Sequence, residues 1–431
     1  MELSHIIILL ILLGCMATYI PVFMCLFFTA VLGFLFFTDL PLLLLAQTLF
    51  RAMDNFALVV VLFFILCGNI MTAGSIVEKL IKVANALVSW LPGGLGMAGV
   101  LACGLFGAIS GSTVATVVAL GGFMIPALIE NGYPERYTIG LMTTSPNLGV
   151  IIPPSIGMIL YSMISNVSLE GLFLTGFVPG ILIMLGVCLY TYIIFRNRPE
   201  IVRKPVPTFM ETLSVVRECF WALLLPVIIF GGIFSGAFTA NEAAVVACVY
   251  AFVVEIFIHK SMRLDQVKQI TINSAVTSAT LLVIVAGATC FGRLLALESI
   301  PGAITEAVLS AINSPVVFLL AMNVLLLFVG MFMDIISATM ILGPVILPML
   351  DAYDINLMHF GLIMTVNLAI GYCTPPMGVS LYITGAIANR DLIYVSKAVL
   401  PFILIQMAVL FILTYLPDLV LWLPRLRGYL P

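Results

Sequence analysis

Residues 148–161 read LGVIIPPSIGMILY, and residues 370–383 read IGYCTPPMGVSLYI. In both stretches a Gly precedes a Pro-Pro pair within apolar sequence, and Gly149 and Gly371 lie 222 residues apart. The same offset relates the two Pro-Pro pairs and, further upstream, Pro126 and Pro348. Several landmarks in one ungapped frame predict an internal duplication.

The composition indicates the surroundings of these stretches. Of the 431 residues, 63% are hydrophobic and 9% are charged, which is too little charge to cover a soluble protein of this size. Apolar runs of membrane-crossing length recur along the chain between short polar breaks. The sequence therefore predicts an all-α polytopic membrane protein without a separate soluble domain.

About eleven spans are predicted, with boundaries uncertain by a few residues. The clearest apolar runs are about 5–37, 56–73, 171–195, 219–238, 243–258, 270–292, 315–333 and 393–423. Two basic loops with two spans between them are expected in the cytoplasm. Their basic residues are Arg196, Arg198, Arg203, Lys204 and Arg217 in the first loop, and His259, Lys260, Arg263 and Lys268 in the second.

The two termini are expected on opposite sides of the membrane. No Lys or Arg precedes the first apolar run, so it is interpreted as a mature span rather than a cleaved signal peptide. The same lack of positive charge favours an N-terminus outside the cytoplasm, whereas Arg425 and Arg427 favour a cytoplasmic C-terminus.

The segments 92–165 and 314–390 are apolar but interrupted by Gly, Pro, Ser, Thr and Asn. Hydrocarbon offers no hydrogen-bond partners, so unwound backbone persists at membrane depth only inside protein or beside a wet cavity. A Pro-Pro pair stops a helix and leaves carbonyl oxygens free. Such oxygens suit Na⁺, and nearby helix N-termini suit a carboxylate. Paired broken segments therefore predict the binding site of a transporter, although Gly and Pro also serve close helix packing.

Several polar side chains within and between these segments are candidates for binding or capping roles. Ser110 and Ser112 lie in a Gly/Ser-rich turn, although a Ser in a membrane helix often bonds its own backbone. Asp334 is a costly intramembrane carboxylate, expected to contact substrate or act in gating, or else to form a structural pair. Arg293 could bind a substrate carboxylate, reach an interface or pair with Glu298. Glu242 is expected to cap the start of a helix.

The sequence argues against other classes of protein. No Gly-Lys dipeptide is present for a P-loop, and no His is followed by Glu as zinc proteases require. The nine Cys include no C-x-x-C pair, so neither a disulfide framework nor a metal cluster is expected. There is no basic stripe for nucleic acid. An ion channel is disfavoured because a duplication within one chain favours alternating access.

Long motifs in these segments resemble the large permease subunit of tripartite ATP-independent periplasmic (TRAP) transporters, the DctM-like (SiaM-type) family. They are GAISGSTVAT at 107–116, IPALIENGY at 125–133, LGVIIPPSIGMILY at 148–161, GMFMDIIS at 330–337 and HFGLIMTVNLAIGYCTPPMGVSLY at 359–382. The resemblance covers essentially the whole chain. The sequence departs from the expected pattern at Ser145, Pro146 and Asn147, where small residues, Gly and Thr, are expected before Leu148.

The resemblance implies inverted repeats with two re-entrant helical hairpins, and a transport domain that moves like an elevator against a scaffold. The implied regions are N-terminal scaffold helices at 1–91, the first hairpin and broken helix at 92–170, scaffold and linking helices with cytoplasmic loops at 171–313, the second hairpin and broken helix at 314–390, and a C-terminal helix at 391–431.

The resemblance also implies ligands and partners. The first Na⁺ site would use Ser110, Gly149, Ile152 and Pro154; the second would use Gly330, Gly371, Thr374 and Met377; Ser112 and Asp334 would face the substrate. The partners would be a small four-span membrane subunit (DctQ-like) and a periplasmic substrate-binding protein (DctP-like) that delivers an organic acid such as a C4-dicarboxylate, a sugar acid or sialic acid.

The expected location is the bacterial inner membrane, with the lipid bilayer around a multi-pass chain. The alternative is a stand-alone Na⁺- or H⁺-coupled carboxylate carrier or antiporter with hairpin repeats.

Overall fold

The structure is a computed structural model that describes residues 3–18, 20–38, 40–198 and 205–430. Across these ranges the chain forms 24 α-helices and no strand, which confirms the predicted all-α fold. Arg203 and Lys204 of the predicted first basic loop lie outside the described residues.

Thirteen of these helices precede the first basic loop. They are α1 (Leu3–Ala17), α2 (Val22–Phe36), α3 (Leu42–Met53), α4 (Ala57–Ala73), α5 (Ile76–Val88), α6 (Gly94–Ser110), α7 (Thr113–Thr116), α8 (Gly122–Glu130), α9 (Glu135–Thr144), α10 (Leu148–Ile151), α11 (Ile156–Ser165), α12 (Leu169–Thr175) and α13 (Phe177–Phe195). A π-helical turn, Val117–Gly121, makes α7 and α8 one continuous helix, and a 3₁₀ turn, Ser145–Asn147, joins α9 to α10.

Eleven helices follow. They are α14 (Phe209–Glu218), α15 (Phe220–Phe234), α16 (Ala240–Val253), α17 (Leu264–Leu297), α18 (Ile300–Ala311), α19 (Pro315–Gly330), α20 (Ile335–Ala352), α21 (Leu357–Gly371), α22 (Val379–Ala388), α23 (Leu392–Tyr415) and α24 (Asp418–Leu426). The predicted role of Glu242 is confirmed, because it forms a capping box with Thr239 at the start of α16.

The helix order repeats at the offset predicted from the sequence. The helix from Thr113 to Glu130 corresponds to α20, which starts and ends 222 residues later. Helices α6 and α19, α9–α10 and α21, and α11 and α22 correspond in the same way to within about two residues. The duplication therefore covers whole helices and not only the Pro-Pro motifs.

By length and composition, seven helices in the described ranges can cross a membrane, or nine if each of two bent helix pairs forms one span. About eleven spans were predicted, and the difference arises because seven further apolar helices have only 10–17 residues. One of them, α19, occupies the run predicted as a full span at 315–333. It stops at Gly330 because Asp334 begins the next helix. The chain is a polytopic membrane protein.

The two helices that carry the Pro-Pro motifs run through the centre of the molecule. All residues from Tyr137 to Tyr161 are buried, and so are all residues from Met358 to Cys373. Helix α4 packs against α11 of this core, and α16 and α17 pack against α4. Helix α13 packs against α10, and α23 packs against α9 and α21. The first motif is therefore shielded from lipid, as unwound backbone at membrane depth requires, whereas Pro375 and Pro376 of the second are exposed on the surface of the chain.

A buried carboxylate fixes the start of α5. Glu255, in the π-helical turn that ends α16, accepts hydrogen bonds from the backbone N–H groups of Ser75 (2.8 Å) and Ile76 (2.7 Å). Burial lowers the pKa of the adjacent His259, which favours the neutral ring, and the carboxylate is held mainly by N–H and O–H donors. A methyl group on Gly74 would lie 2.2 Å from the Glu255 carboxyl carbon. This position therefore requires Gly.

Replacing Glu255 by Ala is expected to lower the free energy of unfolding by about 2–3 kcal/mol, because two buried backbone donors lose their acceptor. The matched control is Glu242→Ala, which removes an exposed helix cap and is expected to cost about 1 kcal/mol. Chemical denaturation in detergent micelles, followed by tryptophan fluorescence, measures both. Equal losses would contradict the role assigned to Glu255.

Candidate functional site

Two tight turns begin the returning helices of the two hairpins. Hairpin 1 consists of α6, the turn Gly111–Ser112 and the helix Thr113–Glu130; hairpin 2 consists of α19, the turn 331–334 and α20. Gly111 has a φ of 61°, in the left-handed region that favours Gly. The Ser112 hydroxyl accepts from the Ala115 N–H, and the Asp334 carboxylate accepts from the Ser337 N–H at 3.0 Å. Ser112 and Asp334, two of the three predicted substrate residues, are therefore helix N-caps.

Each Pro-Pro motif interrupts a helix as predicted. Break 1 comprises residues 152–155, between α10 and α11; break 2 comprises residues 372–378, between α21 and α22. The Pro-Pro peptide bond is cis in both breaks. The Ser155 hydroxyl accepts from the Met158 N–H and caps α11. Each break thus ends one helix and presents the N-terminus of another.

Glycines bring each hairpin against the broken helix of its own repeat. A methyl group on Gly149 would lie 2.7 Å from the Thr116 hydroxyl oxygen and 3.0 Å from the Ser112 carbonyl oxygen. One on Gly371 would lie 2.6 Å from the backbone of Gly330. These separations are shorter than ordinary van der Waals contact. Gly at both positions therefore permits backbone-to-backbone packing.

The predicted first ion site is largely brought together. The Ser110 hydroxyl lies 3.3 Å from that of Thr116, and a methyl group on Gly111 would lie 2.9 Å from the Pro154 carbonyl oxygen. Oxygen atoms of hairpin 1 and break 1 therefore share one small region beside Gly149. The Ile152 side chain packs against Gly180 of α13, so only its backbone could serve a ligand.

The predicted second ion site is more open. Gly330 contacts Gly371, but the Thr374 hydroxyl donates to the Ile370 carbonyl at 2.8 Å. Met377 is 46% exposed, and both prolines of break 2 are exposed, whereas those of break 1 are buried. The two sites predicted as equivalents therefore differ in how exposed their residues are on the surface of the chain.

A cavity of about 530 Å³ lies between the hairpin turns and two further helices. On one side it is lined by residues 110–115 of hairpin 1, Asp334–Ile336 of hairpin 2, Ile156–Gly157 and Tyr372. The Tyr372 hydroxyl accepts from the Ile335 N–H at 2.9 Å and so joins break 2 to hairpin 2. On the other side α4 contributes Asn69 and Thr72, and α17 contributes Thr277. The cavity is large enough for a small organic molecule.

The electrostatics of this cavity come mainly from helix ends. The N-termini of the helix that starts at Thr113, of α11 and of α20 all reach its wall. Each carries unpaired N–H groups and a partial positive charge that stabilises an anion. Asp334 is the only charged side chain among the described residues of the wall. The arrangement can bind a carboxylate without a basic side chain.

Arg293 does not reach this cavity. Thr277, Leu281 and Ile284 of α17 face the cavity, and Arg293 follows Ile284 by nine residues, which is half a turn around the helix at about 100° per residue. Arg293 is exposed, and the described residues include no ion pair between it and Glu298. Of the three predicted substrate residues, the structure places Ser112 and Asp334 on the cavity wall.

Of the three residues that deviate from the expected pattern, Asn147 belongs to a buried polar network. The Asn147 amide donates to Gln406 of α23 at 2.9 Å, and the Cys373 thiol of break 2 donates to the Thr143 carbonyl at 3.2 Å. The Gln406 amide donates to the Thr144 carbonyl at 3.0 Å. Asn147 thus ties the first broken helix to α23 and lies beside break 2.

Sequence reasoning did not identify Asn69, Thr277 or Tyr372 as site residues. An available signal was the lone amide of Asn69 in the apolar run VVVLFFILCGNIMTA at 59–73, since polar side chains within membrane spans are costly without a partner. Tyr372 and Thr277 offered no comparable signal, because their positions depend on helix rotation.

Comparison with known proteins shows which family this chain is similar to. Residues 9–419 match the family described as tripartite ATP-independent periplasmic transporter, DctM component. A C4-dicarboxylate TRAP transporter large permease protein DctM from Rhodobacter capsulatus is 37% identical, over 99% of this chain and 100% of that protein. The sialic acid TRAP transporter large permease protein SiaM from Vibrio cholerae is 34% identical, over 97% of this chain and 98% of that protein.

Two further similarities concern the architecture. An isethionate TRAP transporter permease protein DctMQ from Oleidesulfovibrio alaskensis is 38% identical, over 88% of this chain and 60% of that longer protein. Among solved structures, the YdaH transporter of Alcanivorax borkumensis is similar with a TM-score of 0.65 and 17% identity, over 97% of this chain and 98% of that one. At this identity the likeness shows the fold alone.

Gly149→Ala and Gly371→Ala are each expected to destabilise the protein by about 1–3 kcal/mol, because the added methyl group would overlap backbone or hydroxyl atoms of the facing hairpin. Gly231→Ala is the control, since a methyl group there meets no atom within 4 Å, and in a helix it is expected to stabilise by up to about 1 kcal/mol. Thermal unfolding in detergent measures all three. Unchanged unfolding of the first two variants would contradict the close packing.

Proposed function

The chain belongs to the DctM component family of tripartite ATP-independent periplasmic transporters, and we propose that it imports a small organic acid with Na⁺ as the coupling ion. In this family it is the large permease subunit. The observation that carries the proposal is the cavity between two hairpins, each packed by Gly against its own broken helix. Paired broken helices at corresponding places mark the binding sites of secondary transporters.

The neutral oxygens at break 1 support the proposed coupling ion. Hydroxyl and carbonyl oxygens of Ser110, Thr116, Ser112 and Pro154 approach one another beside Gly149. Hard oxygen ligands suit hard cations rather than soft metals, and no cluster of three or more His, Cys, Asp or Glu side chains occurs in the part of the chain that the structure describes. We assign the first Na⁺ site to Ser110, Gly149, Ile152 and Pro154.

We assign the second Na⁺ site to Gly330, Gly371, Thr374 and Met377, through backbone oxygens and the Thr374 hydroxyl. The Thr374 hydrogen is committed to the Ile370 carbonyl, which leaves lone pairs on the hydroxyl oxygen for a cation. The acid is proposed to bind in the cavity, with Ser112 and Asp334 beside it. Arg293 has no part in this arrangement.

Transport is proposed to follow an elevator mechanism. The regions 92–170 and 314–390 would move together as the transport domain, since the Asn147 network joins their broken helices in the core. Helices α4 and α17 would belong to the scaffold and close the cavity from the other side. Movement of the hairpins along these helices would carry the cavity across the bilayer.

The proposed complex includes a small four-span DctQ-like subunit and a periplasmic DctP-like binding protein, in the bacterial inner membrane with the N-terminus periplasmic and the C-terminus cytoplasmic. The name DctMQ of the longer relative supports a second membrane component. The binding protein would deliver the acid from the periplasm. The relatives are named for different acids, so family membership leaves the identity of the cargo open.

Na⁺ coupling is tested by reconstituting the complex in liposomes. The binding protein is added outside the liposomes together with the acid that it retains on purification. An inward Na⁺ gradient is expected to drive accumulation, and K⁺ on both sides is expected to support none. Equal uptake in K⁺ alone would rule out the coupling. Uptake that needs no binding protein would instead favour a stand-alone carboxylate carrier.

The second ion site is tested with Thr374→Ala. This variant is expected to raise the Na⁺ concentration for half-maximal uptake by about tenfold, the equivalent of one hydrogen bond or ligand contact of roughly 1.4 kcal/mol. Ser310→Ala is the matched control, because its hydroxyl also donates to its own helix, to the Ala307 carbonyl, but is exposed on α18. If the two variants show the same Na⁺ dependence, the second site is misplaced.

A further inference from the structure

A separate amphipathic helix lies between α13 and α15. Helix α14 follows the first basic loop and directly precedes the apolar helix α15. The Thr208 hydroxyl accepts from the Glu211 N–H, and the Glu211 carboxylate accepts from the Thr208 N–H at 2.7 Å. This capping box gives α14 a start of its own, so α14 is an element distinct from the helix that it precedes.

Two stripes of opposite character run along the exposed side of α14. Phe209, Met210 and Leu213 fall within about 100° of one another around the helix axis, at about 100° per residue. Phe209 is 82% exposed and Met210 is 72% exposed. The neighbouring polar stripe spans about 60° and consists of the exposed residues Glu211, Ser214 and Glu218. An apolar stripe that no other part of the described chain covers marks an interaction surface.

The geometry of α14 relative to α15 indicates what this surface contacts. The two helix axes differ in direction by 74°. A membrane span is tilted by about 20° on average, so α14 lies closer to the plane of the bilayer than to its normal. The 15 residues of α15 extend about 22 Å, whereas the hydrocarbon core is about 30 Å thick. A helix in the membrane interface sinks about 5–10 Å, which makes up the difference.

Side chains around α14 are those expected at a membrane–water interface. Trp221 in the first turn of α15 and Trp90 after the end of α5 are both exposed, and Trp concentrates at this level. Lys82 of α5 forms an ion pair with Glu218, which holds the polar stripe beside α5. The basic loop before α14 is expected in the cytoplasm, so the interface is that of the cytoplasmic leaflet.

Charge does not account for an attraction of α14 to the bilayer. Within the helix, two acidic residues, Glu211 and Glu218, and one basic residue, Arg217, give a net charge of −1. Anionic lipid attracts clusters of basic residues, which this helix lacks. Exposed apolar side chains instead continue from α14 to Phe220 at the start of α15. The apolar stripe is therefore continuous with the surface of a membrane helix.

We propose that α14 binds the surface of the lipid bilayer, with Phe209, Met210 and Leu213 inserted among the lipid chains of the cytoplasmic leaflet and the polar stripe in water. The partner is the bilayer itself, bound through apolar contact and not through anionic headgroups. The inference depends on the membrane location of α15 and is independent of the cargo and of the coupling ion.

The test compares Leu213→Trp with Ser214→Trp, two adjacent exposed positions on different stripes. The full-length chain is placed in nanodiscs whose lipids carry bromine in the upper half of the acyl chains, and the emission of the wild-type chain, with its three Trp, is subtracted. Because the stripe sits about 5–10 Å deep, the brominated lipid is expected to quench more than about half of the added emission at position 213 and less than about a fifth at position 214. Acrylamide, a quencher in water, is expected to show the reverse order.

Met210→Trp provides a second position on the apolar stripe and is expected to behave like Leu213→Trp. Acrylamide quenching of both stripe positions as strong as that of position 214 would place the stripe in water and overturn the proposal. Equal quenching of positions 213 and 214 by brominated lipid would place α14 across the bilayer, which would also overturn it.

Two further measurements distinguish lipid chains from other occupants. The quenching at position 213 is expected to be the same in zwitterionic lipid alone, and a requirement for anionic lipid would refute apolar binding. Adding the small membrane subunit is expected to leave the quenching by brominated lipid unchanged. Its loss in the complex would assign the stripe to that subunit and overturn the proposal.

Discussion

The structure depends on placing interrupted backbone at membrane depth without exposing it to lipid. Each Pro-Pro pair removes donors and releases carbonyls, and each lone carbonyl or N–H in hydrocarbon would cost several kcal/mol. The chain meets this constraint by burying break 1 and the helices that lead into both breaks, and by packing a hairpin against each broken helix through Gly149 or Gly371. The contact leaves backbone oxygens close together and helix N-termini directed at a cavity. The interruptions that would destabilise the fold in lipid therefore supply the backbone oxygens and helix N-termini of the candidate site.

Much of the fold could be predicted because it depends on local chemistry. The Pro-Pro pairs end helices wherever they occur, and the offset between Gly149 and Gly371 revealed a duplication that the helix bounds follow. Asp334 and Ser112 were identified because polar residues in an apolar segment are conspicuous. The rotation of a helix about its axis is not encoded locally. For that reason the sequence left open whether Arg293 binds substrate, reaches an interface or pairs with Glu298; it lies on the far side of α17, while Thr277 on the same helix faces the cavity.

The deviation at Ser145–Asn147 illustrates a second limit. From the sequence, Asn147 was only a departure from the expected pattern beside the first ion site. The structure pairs it with Gln406 and places it 3.5 Å from the thiol of Cys373, residues more than two hundred positions away. A buried amide must find such partners to offset the loss of water. Asn147 therefore belongs with Gln406 and Cys373. These partners could not be predicted from the sequence, because they depend on how α23 packs against α9.

Because of the duplication, the helices of the two halves follow the same order, but the two breaks differ in burial. Break 1 is buried throughout, whereas Pro375, Pro376 and Met377 of break 2 are exposed. On the proposed function, a cation at break 1 would be enclosed by hairpin 1, while one at break 2 could exchange with its surroundings. Two sites with identical access and affinity would fill and empty in random order. Because the cavity touches both hairpins, filling the open site would act on the same wall, at Tyr372 and Asp334, that holds the acid. On the proposed function, this asymmetry would let the ion at break 2 leave before the ion at break 1.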